Sequence, residues 1–106
     1  LRVAGSSDAP VVPFNPLTGI YAAATRRTEG GGVVALGEAV TPEQALALYT
    51  TGAAHAAGEE ERKGSISPGK LADLTVLSAD PTAVPPDEIR DIRVTMTILG
   101  GKVTFS

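Results

Sequence analysis

The spacing of apolar residues changes once along this chain. Leu17, Ile20, Tyr21 and Ala24 fall at i, i+3, i+4 and i+7, one face of a helix. Asn15 can cap that helix, with Pro16 at its first position. The pattern predicts a helix from Pro16 to Arg27. Gly19 weakens it slightly, and Arg26 and Arg27 suit the negative end of its dipole. A second helix starts at Thr41, with Pro42 at its first position, Glu43 in its first turn and Gln44 completing a capping box. Its predicted buried stripe is Leu46, Tyr49, Ala53 and Ala57, flanked by Ala45, Leu48 and Ala56, and Gly58 ends it. Gly52 and the surrounding alanines predict a close approach to a neighbouring surface.

Beyond residue 63 the period becomes two. Ala72, Leu74 and Val76 alternate with Asp73, Thr75 and Leu77, as in a half-buried strand. Ile92, Val94, Met96 and Ile98 alternate with Arg93, Thr95, Thr97 and Leu99 in a second strand. Gly100 and Gly101 form a two-residue hairpin turn into a return strand, Lys102 to Phe105. Ser67-Pro68-Gly69-Lys70 is also a turn: Pro68 presets φ and Gly69 takes a positive one. Leu1 to Ala4 reads as the end of a buried strand, and a loop through Pro10 and Pro13 follows. Residues 29–40 and 80–88 read as loops.

Composition narrows the class. A chain of 106 residues holds one domain at most. The apolar share is 42%, but much of it is alanine, and the aromatics are two tyrosines and two phenylalanines. The expected core is thin for the length. The net charge of −3 and the absence of a basic, aromatic-studded stripe argue against nucleic-acid binding. No apolar run reaches the roughly 20 residues of a membrane span. There is no cysteine, which excludes disulfides and thiolate metal sites and leans toward a reducing, cytoplasmic setting.

Few residues can carry chemistry. Gly30-Gly31-Gly32 lacks the lysine and the helix start of a phosphate loop, so flexibility is its better account. His55 is the one histidine and lies inside the alanine-rich helix, as a packing or surface residue. Ser6 and Ser7 have no base near them in sequence, so a Ser-His-Asp arrangement is not defensible. Lys70 reads as a turn lysine. Asp8 follows a short apolar segment and precedes a loop and helix. Taken alone, an aspartate in Gly-Ser-Ser-Asp-Ala-Pro is a turn or cap residue.

Two blocks in this order carry a resemblance. Gly64-x-Ile66-x-x-Gly69-x-x-Ala72-Asp73-Leu74-x-Val76-Leu77, followed by Asp80-Pro81, is similar to the C-terminal signature of the amidohydrolase superfamily. Gly5-Ser6-Ser7-Asp8-Ala9-Pro10, with Pro16-Leu17 and Ala23-Ala24-Thr25-Arg26, resembles the end of the barrel in those enzymes. Together, with the helix between them, they resemble amidohydrolase family 3, the YtcJ-like branch.

The resemblance implies an α+β fragment. Residues 1–62 would be the last strand, loop and helices of a (β/α)8 barrel, and residues 63–106 the C-terminal strands of a small β-sandwich. It implies the C-terminal part of a metal-dependent hydrolase that cleaves a non-peptide, amide- or formamide-like C–N bond with activated water. Asp8 would be both a metal ligand and the catalytic proton acceptor. The metal of the parent would be divalent, Zn²⁺ by expectation, and the substrate a small amide-like molecule. With one histidine and one such aspartate, this piece alone is expected to bind no metal and to be inactive. In the family Asp73 is structural, bonding turn backbone. The competing expectation is a non-catalytic α+β module for oligomerisation or binding. Either way, uncovered strand edges and helix faces predict a homo-oligomer.

Overall fold

The computed structural model describes all 106 residues, with helices in the first half and strands in the second. Helix α1 spans Pro16–Thr25, α2 Pro42–Tyr49 and α3 Thr51–Ala56. Strands β1 (Leu74–Leu77), β2 (Val94–Leu99) and β3 (Lys102–Phe105) form one antiparallel sheet in that order. The architecture is α+β. No helix is long and apolar enough to cross a membrane.

The helix starts follow their caps. Asn15 Oδ1 accepts from the Leu17 amide at 3.0 Å, with Pro16 inside the first turn. At α2, Thr41 Oγ1 accepts from the Gln44 amide at 3.1 Å and Gln44 Oε1 accepts from the Thr41 amide at 2.9 Å. Such caps are worth about 1 kcal/mol each. Gly58, at φ 69°, lets the Glu59 amide reach back to the Ala54 carbonyl at 2.8 Å and closes α3.

Three expectations for the first half of the chain change. The first helix stops at Thr25, because Arg26 turns left-handed at φ 57°. Arg26 and Arg27 therefore lie past the last turn, and their guanidiniums serve other partners. Arg26 Nε donates to the Val34 carbonyl at 3.0 Å, and Arg27 Nε to Asp87 Oδ1 at 2.9 Å. The second helix is two helices, broken at Thr50 (φ −122°, ψ −90°). The break rotates the buried stripe: Ala45 and Ala54 are buried, while Ala56 and Ala57 are exposed. Leu1 to Ala4 is exposed and pairs with no strand of this chain.

The core is small. Leu17, Ile20, Tyr21, Ala45, Ile89 and Ile92 form its centre, and nine of 106 residues are buried. The Cα radius of gyration is 14.3 Å, where a compact chain of this length has about 13 Å. A 3₁₀ helix, Pro86–Asp91, lies within the proline-rich connection and packs on α1. Ile89 on it is fully buried. Arg90 sits over the Tyr21 ring at 5.4 Å, and Asp87 pairs with Arg27.

The turns of the sheet end obey their glycines. Gly100 and Gly101 take φ 56° and 83°, the primed geometry that matches strand twist. Leu99 then pairs with Lys102. Gly69 takes φ 88°, and the Lys70 amide bonds the Ser67 carbonyl at 3.2 Å. Strand β1 begins at Leu74 rather than Ala72, though the Ala72 carbonyl still accepts from the Gly101 amide at 3.0 Å.

Candidate functional site

Asp8 sits where the extended N-terminal segment turns toward α1. Its φ is 52°, a left-handed conformation that aspartate tolerates better than most residues with a Cβ. Two local bonds hold the turn. Ser6 Oγ accepts from the Asp8 amide at 3.2 Å, and the Asp8 carbonyl accepts from the Val11 amide at 3.0 Å. The side chain is exposed, and its carboxylate accepts no hydrogen bond from the protein. A carboxylate so placed is free to bind a cation or take up a proton.

The chain supplies no further ligand nearby. Nowhere do three His, Cys, Asp or Glu side chains gather as a metal-binding group. Asp8 fits as a single oxygen ligand, where a divalent site of protein ligands takes three or more.

His55 is exposed at the end of α3, within reach of Glu60 and Arg2. Its Nδ1 lies 2.9 Å from Glu60 Oε1 and 3.2 Å from Arg2 Nη1. A protonated Nδ1 donates to Glu60 and an unprotonated one accepts from Arg2, so Nδ1 makes one of these two bonds at a time. Glu60 is the anion of this cluster, bonded to His55, with Arg2 at the same imidazole nitrogen. Hydrogen bonds from its own backbone amide and from His55 hold its carboxyl below the ordinary value of 4.5. This is a surface cluster and does not include Asp8.

The residues read as structural do structural work. Asp73 Oδ1 accepts from the Gly100 amide at 2.8 Å and so ties the start of β1 to the hairpin turn. Lys70 Nζ donates to the Glu60 carbonyl at 2.6 Å and to Ser65 Oγ at 2.9 Å. A surface cleft of about 440 Å³ runs past Arg2, Gln44, Thr51, Glu60, Lys63 and Lys70. Its charged groups are already engaged: Lys63 pairs with Glu59 at 2.6 Å, and Glu60 with His55. Gly30-Gly31-Gly32 forms an exposed loop. Thr28 Oγ1 accepts from the Gly32 amide at 3.1 Å, and the Arg27–Val33 bridge closes its base.

Residues 1–105 match the amidohydrolase family. An N-substituted formamide deformylase of Arthrobacter pascens is 36% identical over 105 residues, which are 99% of this chain and 19% of that protein. A putative amidohydrolase YtcJ of Bacillus subtilis (strain 168) is 35% identical over 96% of this chain and 20% of its own length. The crystal structure of an amidohydrolase from Thermotoga maritima MSB8 superposes with a TM-score of 0.71 at 30% identity, over 99% of this chain and 23% of that one. This chain thus spans about a fifth of the curated relatives it matches. The match runs almost end to end through the Asp8 turn, the capped helices and the closing hairpin, and on it the chain belongs to the amidohydrolase family.

Proposed function

We propose that this chain is the C-terminal part of a hydrolase that cleaves a non-peptide, formamide-like C–N bond, and that Asp8 is its proton acceptor. The carrying observation is the Asp8 carboxylate, exposed and unbonded on a left-handed turn. The likeness to a formamide deformylase supports the bond type. Water adds to the formyl carbon, and Asp8 takes its proton. As the C–N bond breaks, that proton passes to the departing nitrogen, leaving formate and an amine. Asp8 would also be one ligand of a divalent ion, Zn²⁺ in this reading, whose other ligands lie outside these 106 residues. Such an ion supplies Lewis acidity when bound.

In the same reading residues 1–62 end a (β/α)8 barrel, where a carboxylate following a strand faces the reaction. Residues 63–106 supply strands to a small β-sandwich. The substrate is a small molecule, and the 106-residue piece by itself is inactive.

Asp8→Asn in the complete gene product tests the reading. Asparagine tolerates the left-handed turn and removes only the charge and the proton-accepting oxygen. Formate release from simple N-substituted formamides should fall by about 10²–10⁴-fold. Turnover near that of the unaltered enzyme would return Asp8 to the role of a turn residue, and no formate release from the unaltered protein would favour a non-catalytic module.

A further inference from the structure

The break between α2 and α3 lies against the segment that leads to Asp8. Three contacts join them. The Leu48 carbonyl, just before the break, accepts from the Gly5 amide at 2.9 Å. The Tyr49 ring lies flush on Gly5, where an added Cβ would sit 2.7 Å from ring carbons, and the Tyr49 hydroxyl crowds Gly19 of α1 in the same way. Gly52, just after the break, abuts the Val3 carbonyl oxygen so closely that any Cβ would collide with backbone. The next link is Ser6, whose hydroxyl takes the Asp8 amide.

The geometry points to Tyr49 and Gly52 as positioning residues for Asp8. They clamp residues 3–5, the Tyr49 ring on Gly5 and the Gly52 backbone on the Val3 carbonyl, and that clamp fixes the base of the turn on which the carboxylate stands. The break itself makes the clamp possible. Thr50 Oγ1 bonds back to the Leu46 carbonyl at 3.0 Å, the kind of back-bond that bends helices. The same turn presents the Leu48 carbonyl to Gly5. Gly5 and Gly19 form a cradle for the Tyr49 ring, and a Cβ at either would push the ring aside. Neither has a positive φ, so close approach and not backbone conformation is what favours glycine at both.

This inference rests on the reading of Asp8 as proton acceptor. Its test is a set of variants in the complete gene product. Gly5→Ala displaces the segment against the ring. A shift of about 1 Å at the reacting group should lower kcat by about ten- to a hundredfold while KM changes little. Tyr49→Leu takes the ring away from Gly5 and should lower kcat by a similar factor, and because both changes break one contact, the two losses should not multiply in Gly5→Ala/Tyr49→Leu. Gly52→Ala displaces the Val3 carbonyl and should act like Gly5→Ala. Gly37→Ala, whose Cβ meets nothing, is the control.

Hydrogen exchange at the Gly5 amide gives a readout independent of activity. It should quicken in Gly5→Ala, Gly52→Ala and Tyr49→Leu and not in Gly37→Ala. Should an alanine variant not fold, Tyr49→Leu, which adds no atom, still reports the clamp. Unchanged Gly5 exchange in Tyr49→Leu and Gly52→Ala overturns the inference. So does a kcat that stays put while the exchange quickens. An inactive Asp8→Asn beside fully active Gly5→Ala and Gly52→Ala overturns the positioning alone, whereas an active Asp8→Asn overturns the reading beneath it.

Discussion

Ile89→Ala is the substitution that should cost this fold most. Ile89 is fully buried and lies on a short 3₁₀ helix wedged against α1. The change removes three carbon atoms. At about 0.8 kcal/mol per buried carbon, the lost transfer free energy is about 2.4 kcal/mol. A cavity beside Leu17, Ile20 and Ile92 adds to that, within the roughly 2–5 kcal/mol seen for such truncations. The flanking contacts cannot compensate. The Arg27–Asp87 pair is exposed on both sides, and such pairs contribute about 0–1 kcal/mol. The Arg90–Tyr21 contact contributes about 0.5–1 kcal/mol. At about 4–8 °C per kcal/mol, the thermal midpoint should fall by roughly 10–40 °C. Differential scanning calorimetry and urea titration read this directly, with exposed Val103→Ala as the comparison, expected within about 0.5 kcal/mol of the unaltered chain. A loss below about 1 kcal/mol for Ile89→Ala would mean that the 3₁₀ helix is not seated on α1, and the account of the core would fail with it.

Other outcomes follow from single contacts. The Thr82 hydroxyl and then the Thr82 amide hold the Asp80 carboxyl below its ordinary value of 3.8. A depressed carboxyl contributes stability above its unfolded pKa and loses it as pH falls through the folded one. Thr82→Val should therefore raise the Asp80 pKa toward 3.8 and bring acid unfolding to a higher pH. An NMR carboxyl titration that does not move would refute it. Asp73→Ala should cost about 1 kcal/mol and speed exchange of the Gly100 amide, with Asp73→Asn recovering part through the retained oxygen. Every residue of β3 is exposed, and its outer edge is unpaired. Made alone, the 10.8 kDa chain should self-associate at micromolar concentration. Sedimentation as a single monomer there would count against it.

The sequence was most readable where one residue type has one local solution. Asn15, Thr41 with Gln44, and Gly58 marked helix ends from their own chemistry. Pro68-Gly69 and Gly100-Gly101 marked turns that few other pairs can make. The break at Thr50 was hidden, because it depends on Gly5, far away in sequence, meeting the Leu48 carbonyl. The capping box correctly announced a helix but carried no information on where it bends. Ile89 was missed because prolines surround it and a single buried side chain on one 3₁₀ turn leaves no period to detect. At the candidate site, the motif drew attention to Asp8. Its left-handed turn was not legible, because nothing in the residue name distinguishes an aspartate that caps from one that stands free. The glycine cradle around Tyr49 left one trace, Gly52 within the alanine-rich stretch. Gly5 and Gly19 read as ordinary loop and helix residues.

The Gly30–Gly32 loop has a practical consequence. Nothing lies near Gly30 or Gly31, while the bridge between Arg27 and Val33 holds the ends of the loop together. Extra residues added at that tip would lengthen a closed loop without pulling on α1, at a cost that grows only slowly with length. The tip is thus a place to graft a fluorophore tag or an affinity peptide onto the protein without disturbing the turn that carries Asp8.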